Sequence, residues 1–248
     1  MTPVSERISK KKAELDELRP LSPETLAALN AWYDVELTYT SNALEGNTLT
    51  RNETAIILEK GITVAGKMLK EHLEAAGHAG ALAYVRELAT SEAPPTELDI
   101  RNIHRLIMQK IDAEEAGRYS RHQRMIAGSD LLLPSPAEIP ARMGDLAAWL
   151  AQAPLTPESA FDAHERLVTV HPFSDGNGRT ARLLMNLLLT KAGYPPLVIR
   201  PEDRLAYFDA LDATRIGNRA AYHEFMYARL EQALDHQLGI LQRAQDLP

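Results

Sequence analysis

Residues His171-Pro172-Phe173-Ser174-Asp175-Gly176-Asn177-Gly178-Arg179-Thr180-Ala181-Arg182 place an imidazole, a carboxylate, two glycines and two guanidiniums on one short stretch. Each has a chemical use at this spacing. His171 carries the side chain most easily poised as a base near neutral pH. Asp175 alone is too little to cage a metal, but it can complete a Mg2+ shell made mostly of phosphate oxygens and water. Gly176 and Gly178 can take positive φ and let backbone amides close around an anion. Arg179 and Arg182, spaced for neighbouring positions on a helix, suit the outer phosphates of a nucleotide. Other chemistries fail on spacing. A calcium loop needs an oxygen ligand where Arg179 stands, no Gly-Lys-Ser/Thr follows the glycines, and after His164-Glu165 the second His of a zincin is replaced by Val168.

The flanking sequence must hold this loop. Pro172 disfavours helical geometry at His171, so a helix beginning at Thr156-Pro157-Glu158 and carrying Phe161, His164, Leu167 and Val168 as one stripe should end there. The run Leu183-Leu184-Met185-Asn186-Leu187-Leu188-Leu189 reads as a buried helix, so the loop opens onto a helix N-terminus, where free N–H groups and the macrodipole attract phosphate. Helical signals run through the rest of the chain. Residues 5–18 suit a surface helix or a loose arm. Ser22-Pro23-Glu24 opens a helix in which Leu26, Leu29, Tyr33, Leu37 and Leu44 recur at helical spacing, with Gly46-Asn47 as its C-cap. Thr50-Arg51-Asn52-Glu53 is a capping box, residues 66–90 read as one long helix, and Thr96 caps another to about Ile111. Helices after Pro201-Glu202-Asp203 and over 220–244 complete the pattern. Residues 113–140 carry Gly117, Gly128, Pro134, Pro136 and Pro140 and no helical period, and a connection that long is usually functional. Its centre, Gln123 to Leu133, suits a short hairpin.

Composition bounds the reading. The chain has 248 residues, 45% of them hydrophobic, which is ample for a core. Its formal net charge of −7 argues against a general nucleic-acid-binding surface, and the lack of cysteine excludes disulfides and thiolate zinc sites. Met1-Thr2-Pro3-Val4-Ser5-Glu6-Arg7 contains no apolar signal region and no run reaches membrane-spanning length, so a cytoplasmic protein is the expectation.

The loop resembles the signature of the Fic (fido) family, His-x-Phe-x-Asp-Gly-Asn-Gly-Arg-x-x-Arg, with every specified position matched. The resemblance extends over most of the chain between about residues 35 and 230. It implies an all-α fold, a Fic-type helical bundle with a short β-hairpin flap over 123–135. The implied division is an N-terminal helical region over 1–95, a catalytic core over 96–232 with its loop at 171–182, and a C-terminal helix end over 233–248. It further implies a protein adenylyltransferase, which moves AMP from ATP to a Tyr, Thr or Ser hydroxyl of a target protein, the chain itself included.

In that reading His171 is the base and Asp175 holds Mg2+. Residues Asp175, Gly176, Asn177, Gly178, Arg179, Thr180, Ala181 and Arg182 bind the nucleotide, with Asn177 donating to the anion and Arg182 clamping the terminal phosphate. Tyr207 and Phe208 pack near the adenine, and the flap residues Ile126, Ala127, Gly128 and Ser129 cover the nucleotide. Arg215 stands where the family often has Asn. Ser41-Asn42-Ala43-Leu44-Glu45-Gly46 resembles the family's inhibitory motif, in which the Glu pairs with the second loop arginine. From the residues alone Glu45 reads as a solvated helix-end carboxylate sharing a face with Ser41. A hydrolase removing AMP, another donor nucleotide such as UTP, and a silenced nucleotide-binding module remain open alternatives. A homodimer is common in the family.

Overall fold

A computed structural model describes residues 3–125 and 133–245. Among these residues the regular structure is helical and contains no strand. The helices are α1 (Pro3–Glu17), α2 (Pro23–Leu44), α3 (Arg51–Lys60), α4 (Leu69–Thr90), α5 (Glu97–Met108), α6 (Ile139–Leu150), α7 (Pro157–Val170), α8 (Asn177–Lys191), α9 (Arg204–Arg215) and α10 (Arg219–Gln245). A 3-10 turn, Pro201–Asp203, leads into α9.

Helix α8 is the axis of the fold. Every residue from Arg179 to Leu189 is buried, as a run from Leu183 to Leu189 that is apolar except for Asn186 leads one to expect. Helices α7, α4, α5 and α2 pack around it. One apolar cluster runs from Ile8 to Leu241 and includes Leu37, Leu82, Ile103, Leu146, Phe161, Leu184 and Tyr222.

Local chemistry sets the boundaries. Ser22 accepts from Thr25 N–H with Pro23 in the first turn, and Thr50 and Glu53 cap each other reciprocally. Thr156 accepts from Ser159 N–H and starts α7. The expected long helix over 66–90 begins three residues late, at Leu69, because Glu71 reaches back to accept the Met68 N–H at 2.9 Å. The N-terminal segment is a packed helix, not a loose arm. Ile8 and Leu15 are buried against α10, and Arg7 and Lys11 pair with Glu231.

The hairpin expected over 123–135 is not observed. Gln123, Arg124, Met125 and Leu133 to Ser135 are irregular, and Ile126, Ala127, Gly128 and Ser129 lie outside the described residues. The two ends are nevertheless tied: Gln123 Nε2 donates to the Leu133 carbonyl at 3.0 Å. The root of this segment also meets the loop between α7 and α8, since Ser120 N–H donates to the Pro172 carbonyl at 2.8 Å.

Candidate active site

The loop between α7 and α8 is fixed by its own backbone partners. His171 ends α7 in the left-handed region, at φ 48 and ψ 54, with its N–H on the Leu167 carbonyl. That geometry costs a non-glycine residue about 1–2 kcal/mol, so the surroundings must enforce it. They do. Phe173 is fully buried and stacks on His104 at 3.7 Å. Asn177 accepts the Phe173 N–H at 2.9 Å and donates to the Phe173 carbonyl at 2.8 Å. The Asn177 side chain is therefore committed to the loop through both its oxygen and its nitrogen. His171 itself is half-buried. Burial lowers its pKa more than the Val168 carbonyl, Glu45 and Asp175 raise it. The imidazole is neutral near physiological pH, the form that accepts a proton.

Gly176, at φ 75, caps the N-terminus of α8. The ladder starts with Thr180 N–H on the Gly176 carbonyl, which leaves the N–H groups of Asn177, Gly178 and Arg179 ahead of the first intrahelical bond. Thr180 and Ala181 are buried. The Thr180 hydroxyl donates to the same Gly176 carbonyl, so these two residues serve the site through the helix they build. The Asp175 carboxylate is half-exposed and accepts from Gly176 N–H at 2.6 Å. Burial pushes its pKa up, but Arg179 and the Gly176 N–H outweigh that and hold it low. Among the described residues no three His, Cys, Asp or Glu side chains gather at metal-binding distance. One exposed, ionised carboxylate fits a Mg2+ that takes its other ligands from phosphate and water.

The resemblance gives Arg182 the terminal phosphate and Arg179 the phosphates or the loop, and the two arginines take different partners. Arg179 is 1% exposed and turns inward. It lies 3.3 Å from Asp175 and 3.4 Å from Glu74 of α4, and Glu74 also accepts from Asn47 at 2.9 Å. Arg179 therefore braces the loop. Arg182 meets α2: Nε donates to Ser41 Oγ at 3.0 Å, and Nη2 donates to the Ser41 carbonyl at 3.0 Å and to Glu45 Oε1 at 2.6 Å. Burial alone would lower its pKa, but Glu45 and Tyr207 reverse that. Gly178 was expected to use positive φ. It sits in α8 without one, and its role is space: a Cβ there would lie 2.4 Å from Glu45 Oε1 and 3.0 Å from Arg182 Nη1. Gly46, at φ 94, follows Glu45 and turns the chain away from α2.

Beneath Arg182 runs a buried polar chain. The Tyr222 hydroxyl donates to the Phe161 carbonyl at 2.9 Å, so its oxygen must accept from His164 Nδ1 at 2.8 Å. His164 is neutral, its pKa pulled down to about 3 by burial. Its Nε2 then accepts from the Tyr207 hydroxyl at 2.8 Å, which leaves the Tyr207 oxygen facing Arg182 as an acceptor. Tyr207 is thus a core residue, while its neighbour Phe208 is only partly buried. Sequence reasoning missed Glu74, His104 and the His164 chain. His104 donates through Nε2 to the Asp175 carbonyl and accepts the Gly117 N–H at Nδ1, both at 2.9 Å. Nothing local marks these residues, because their partners lie far along the chain.

Comparison with known proteins agrees with this geometry. The Fic/DOC family profile matches residues 94–189. The protein adenylyltransferase Fic of Nematostella vectensis is 38% identical over 206 residues, 81% of this chain and 48% of that protein. Protein adenylyltransferase fic-1 of Caenorhabditis elegans is 33% identical over 84% of this chain and 42% of its own length. The chain spans about half the length of the curated relatives it matches. A Fic domain containing signaling protein from Bacteroides thetaiotaomicron superposes with a TM-score of 0.86 at 31% identity, covering 95% of this chain and 98% of that one. Fic-1 of C. elegans gives 0.86 at 30% identity, over 97% of this chain and 73% of its own. With the loop, the helix that meets it and the whole bundle in correspondence, the chain belongs to the Fic/DOC family.

Proposed function

We propose that this protein transfers AMP from ATP to a Tyr, Thr or Ser hydroxyl of a protein, and that Glu45 restrains the transfer. One observation carries the reading. A helix N-terminus with free N–H groups, a neutral imidazole and a guanidinium capped by a carboxylate meet on one loop. In the reaction the phosphates of ATP lie over the N–H groups of Asn177, Gly178 and Arg179. Arg182 grips the terminal phosphate once Glu45 has left it. The target hydroxyl oxygen attacks the α-phosphorus in line. A new P–O ester bond forms, the bond from the α-phosphorus to the bridging oxygen breaks, and pyrophosphate departs with both bonding electrons. His171 takes the hydroxyl proton at Nε2, since Nδ1 is buried. Asp175 is the residue that would hold Mg2+, which supplies charge neutralisation to the leaving pyrophosphate. Ser120 is tied to Pro172 and Gln123 to Leu133, which supports a reading in which the target chain docks beside this end of the loop. No helix among the described residues is long and apolar enough to cross a membrane, and we place the reaction in the cytoplasm, where ATP is abundant.

The test is incorporation of label from α-labelled ATP, into the protein itself and into added protein, for wild type, Glu45→Gly and Glu45→Gly/His171→Ala. The expected pattern is low, high and low. Labelling that survives in the double variant, or equal labelling of wild type and Glu45→Gly, overturns the assignment.

A further inference from the structure

The last helical carbonyls of α2 account for what holds Glu45 in place. A helix C-terminus leaves its final carbonyls without intrahelical partners, and buried ones must find others. The Asn42 carbonyl takes the N–H groups of Glu45 at 3.0 Å and Asn47 at 3.1 Å, and the Ala43 carbonyl takes that of Gly46 at 3.0 Å. These are local turns. The other two are met from the catalytic half. The Ser41 carbonyl takes Arg182 Nη2, and the Leu44 carbonyl takes Arg204 Nε at 3.1 Å. Arg204 is the first residue of α9, distant in sequence and brought here by the fold.

The Leu44 carbonyl belongs to the peptide unit that carries the Glu45 nitrogen. Both polar groups of that unit are therefore pinned: the oxygen by Arg204, the N–H by the Asn42 carbonyl. Helix α2 has no basic residue in its own last turn, so Arg204 supplies in trans the cation that a helix C-terminus favours. The guanidinium lies over the Phe208 ring, 5.0 Å from its centre, which restricts its swing. Among the described residues no carboxylate lies within ion-pair distance of it.

We propose that Arg204 is a positioning residue for Glu45: by clamping the Leu44–Glu45 peptide it holds the Glu45 carboxylate on Arg182. This rests on the reading of Glu45 as a restraint on transfer. Arg182 alone does not fix Glu45, because the carboxylate is one third exposed and its peptide could rotate away. With both arginines engaged, release of α2 requires breaking contacts on two different helices.

The experiment is a two-background comparison. Arg204→Gln and Arg204→Lys are made in wild type and in Glu45→Gly, and self-labelling from α-labelled ATP is measured with hydrogen exchange of the amides of residues 43–47. In the wild-type background Arg204→Gln should raise labelling about three- to tenfold, the scale of one partly exposed charge-assisted hydrogen bond. Arg204→Lys keeps the charge near the helix end but lacks the planar fork, and should fall between. In the Glu45→Gly background neither change should alter the rate, since no carboxylate remains to be positioned. Exchange at Glu45 and Gly46 should quicken in Arg204→Gln. A fall in labelling in both backgrounds would assign Arg204 to nucleotide binding or to the fold and overturn the clamp. Unchanged labelling and exchange in Arg204→Gln, beside an activated Glu45→Gly, would also overturn it. If Glu45→Gly is itself silent, the restraint reading fails, and the exchange measurement still decides whether Arg204 holds the helix end.

Discussion

Replacing Glu45 by Gln separates two ways in which it can restrain the site. The carboxylate lies 2.6 Å from Arg182, with the guanidinium side chain 6% and the carboxylate side chain 34% exposed. It also fills the space above Gly178, where a Cβ would come within 2.4 Å of Oε1. Glutamine keeps the size and removes the charge. A hydrogen bond to a charged partner is worth about 1.5–3 kcal/mol and a neutral one about 0.5–1.5. The exposed carboxylate belongs at the lower end of that range. The change to Gln therefore loses about 1 kcal/mol of restraint, roughly a fivefold activation, whereas Glu45→Gly loses the whole contact and should activate about ten- to a hundredfold. Initial rates of labelling at saturating ATP should rank wild type, then Glu45→Gln, then Glu45→Gly. A glutamine variant as silent as wild type would mean that Glu45 acts by occupying the space over Gly178, not by competing for Arg182. A glutamine variant equal to Glu45→Gly would mean that the neutral amide makes no useful bond at all. Either result refutes the graded competition derived from the geometry.

Two further outcomes concern protons. The His171 pKa is lowered, and in the proposed transfer the neutral ring is the base, so the acid limb of the Glu45→Gly rate profile should lie below the ordinary imidazole value near 6.5, with a plateau above it. Glu45 raises that pKa, so the residual wild-type activity should lose its plateau at a higher pH than the variant does. Burial also pulls His78 and His164 down to about 3 and His104 to about 4. Between these values and about 6.5 these three rings each bind a proton in the unfolded chain that they do not bind in the folded one, so stability falls as pH falls through that window. Around pH 5 the slope should approach about 4 kcal/mol per pH unit, at ~1.4 per proton. Urea unfolding from pH 7 to 4.5 measures it, and a flat profile would mean that these rings are not held neutral.

What could be read from the sequence follows from how far each contact reaches along the chain. The loop was legible because its groups are adjacent: Pro172 does end α7 at Val170, and the apolar run after Arg182 does bury α8. Helix starts were legible for the same reason, since Ser22, Thr50, Thr96 and Thr156 cap within three residues. The meeting of Glu45 with Arg182 spans 137 positions, and only the family resemblance indicated it. Periodicity states which face of a helix is buried, but not which polar side chain waits on the facing helix. That is why spacing alone offers both arginines to the phosphates. Both lie on the buried N-terminal turns of α8, yet Glu74 and Asp175 draw one inward while Ser41 and Glu45 hold the other. His104, committed to the Asp175 carbonyl across 71 positions, was invisible for the same reason.

On the proposed reading, the different partners of the two arginines let one loop be both rigid and restrained. A catalytic loop gains from fixed geometry, because misplaced groups forfeit the advantage of orientation. Arg179, Asn177, His104 and the Ser120 N–H supply that rigidity through hydrogen bonds to Asp175, Phe173 and Pro172 rather than to α2. Restraint needs a part that can be released, and Arg182 is where α2 is held. Helix α2 grips it through Ser41 and through the Glu45 side chain at its last turn, where the chain turns at Gly46 and the carboxylate stays partly exposed. Letting go therefore disturbs no bond that shapes the loop. The apolar packing of α2, through Leu29, Tyr33, Leu37 and Leu44, can remain in place while Glu45 alone swings aside. Such a restraint costs little to relieve, which is why its strength should be graded by single contacts of about 1 kcal/mol rather than by unfolding of the helix.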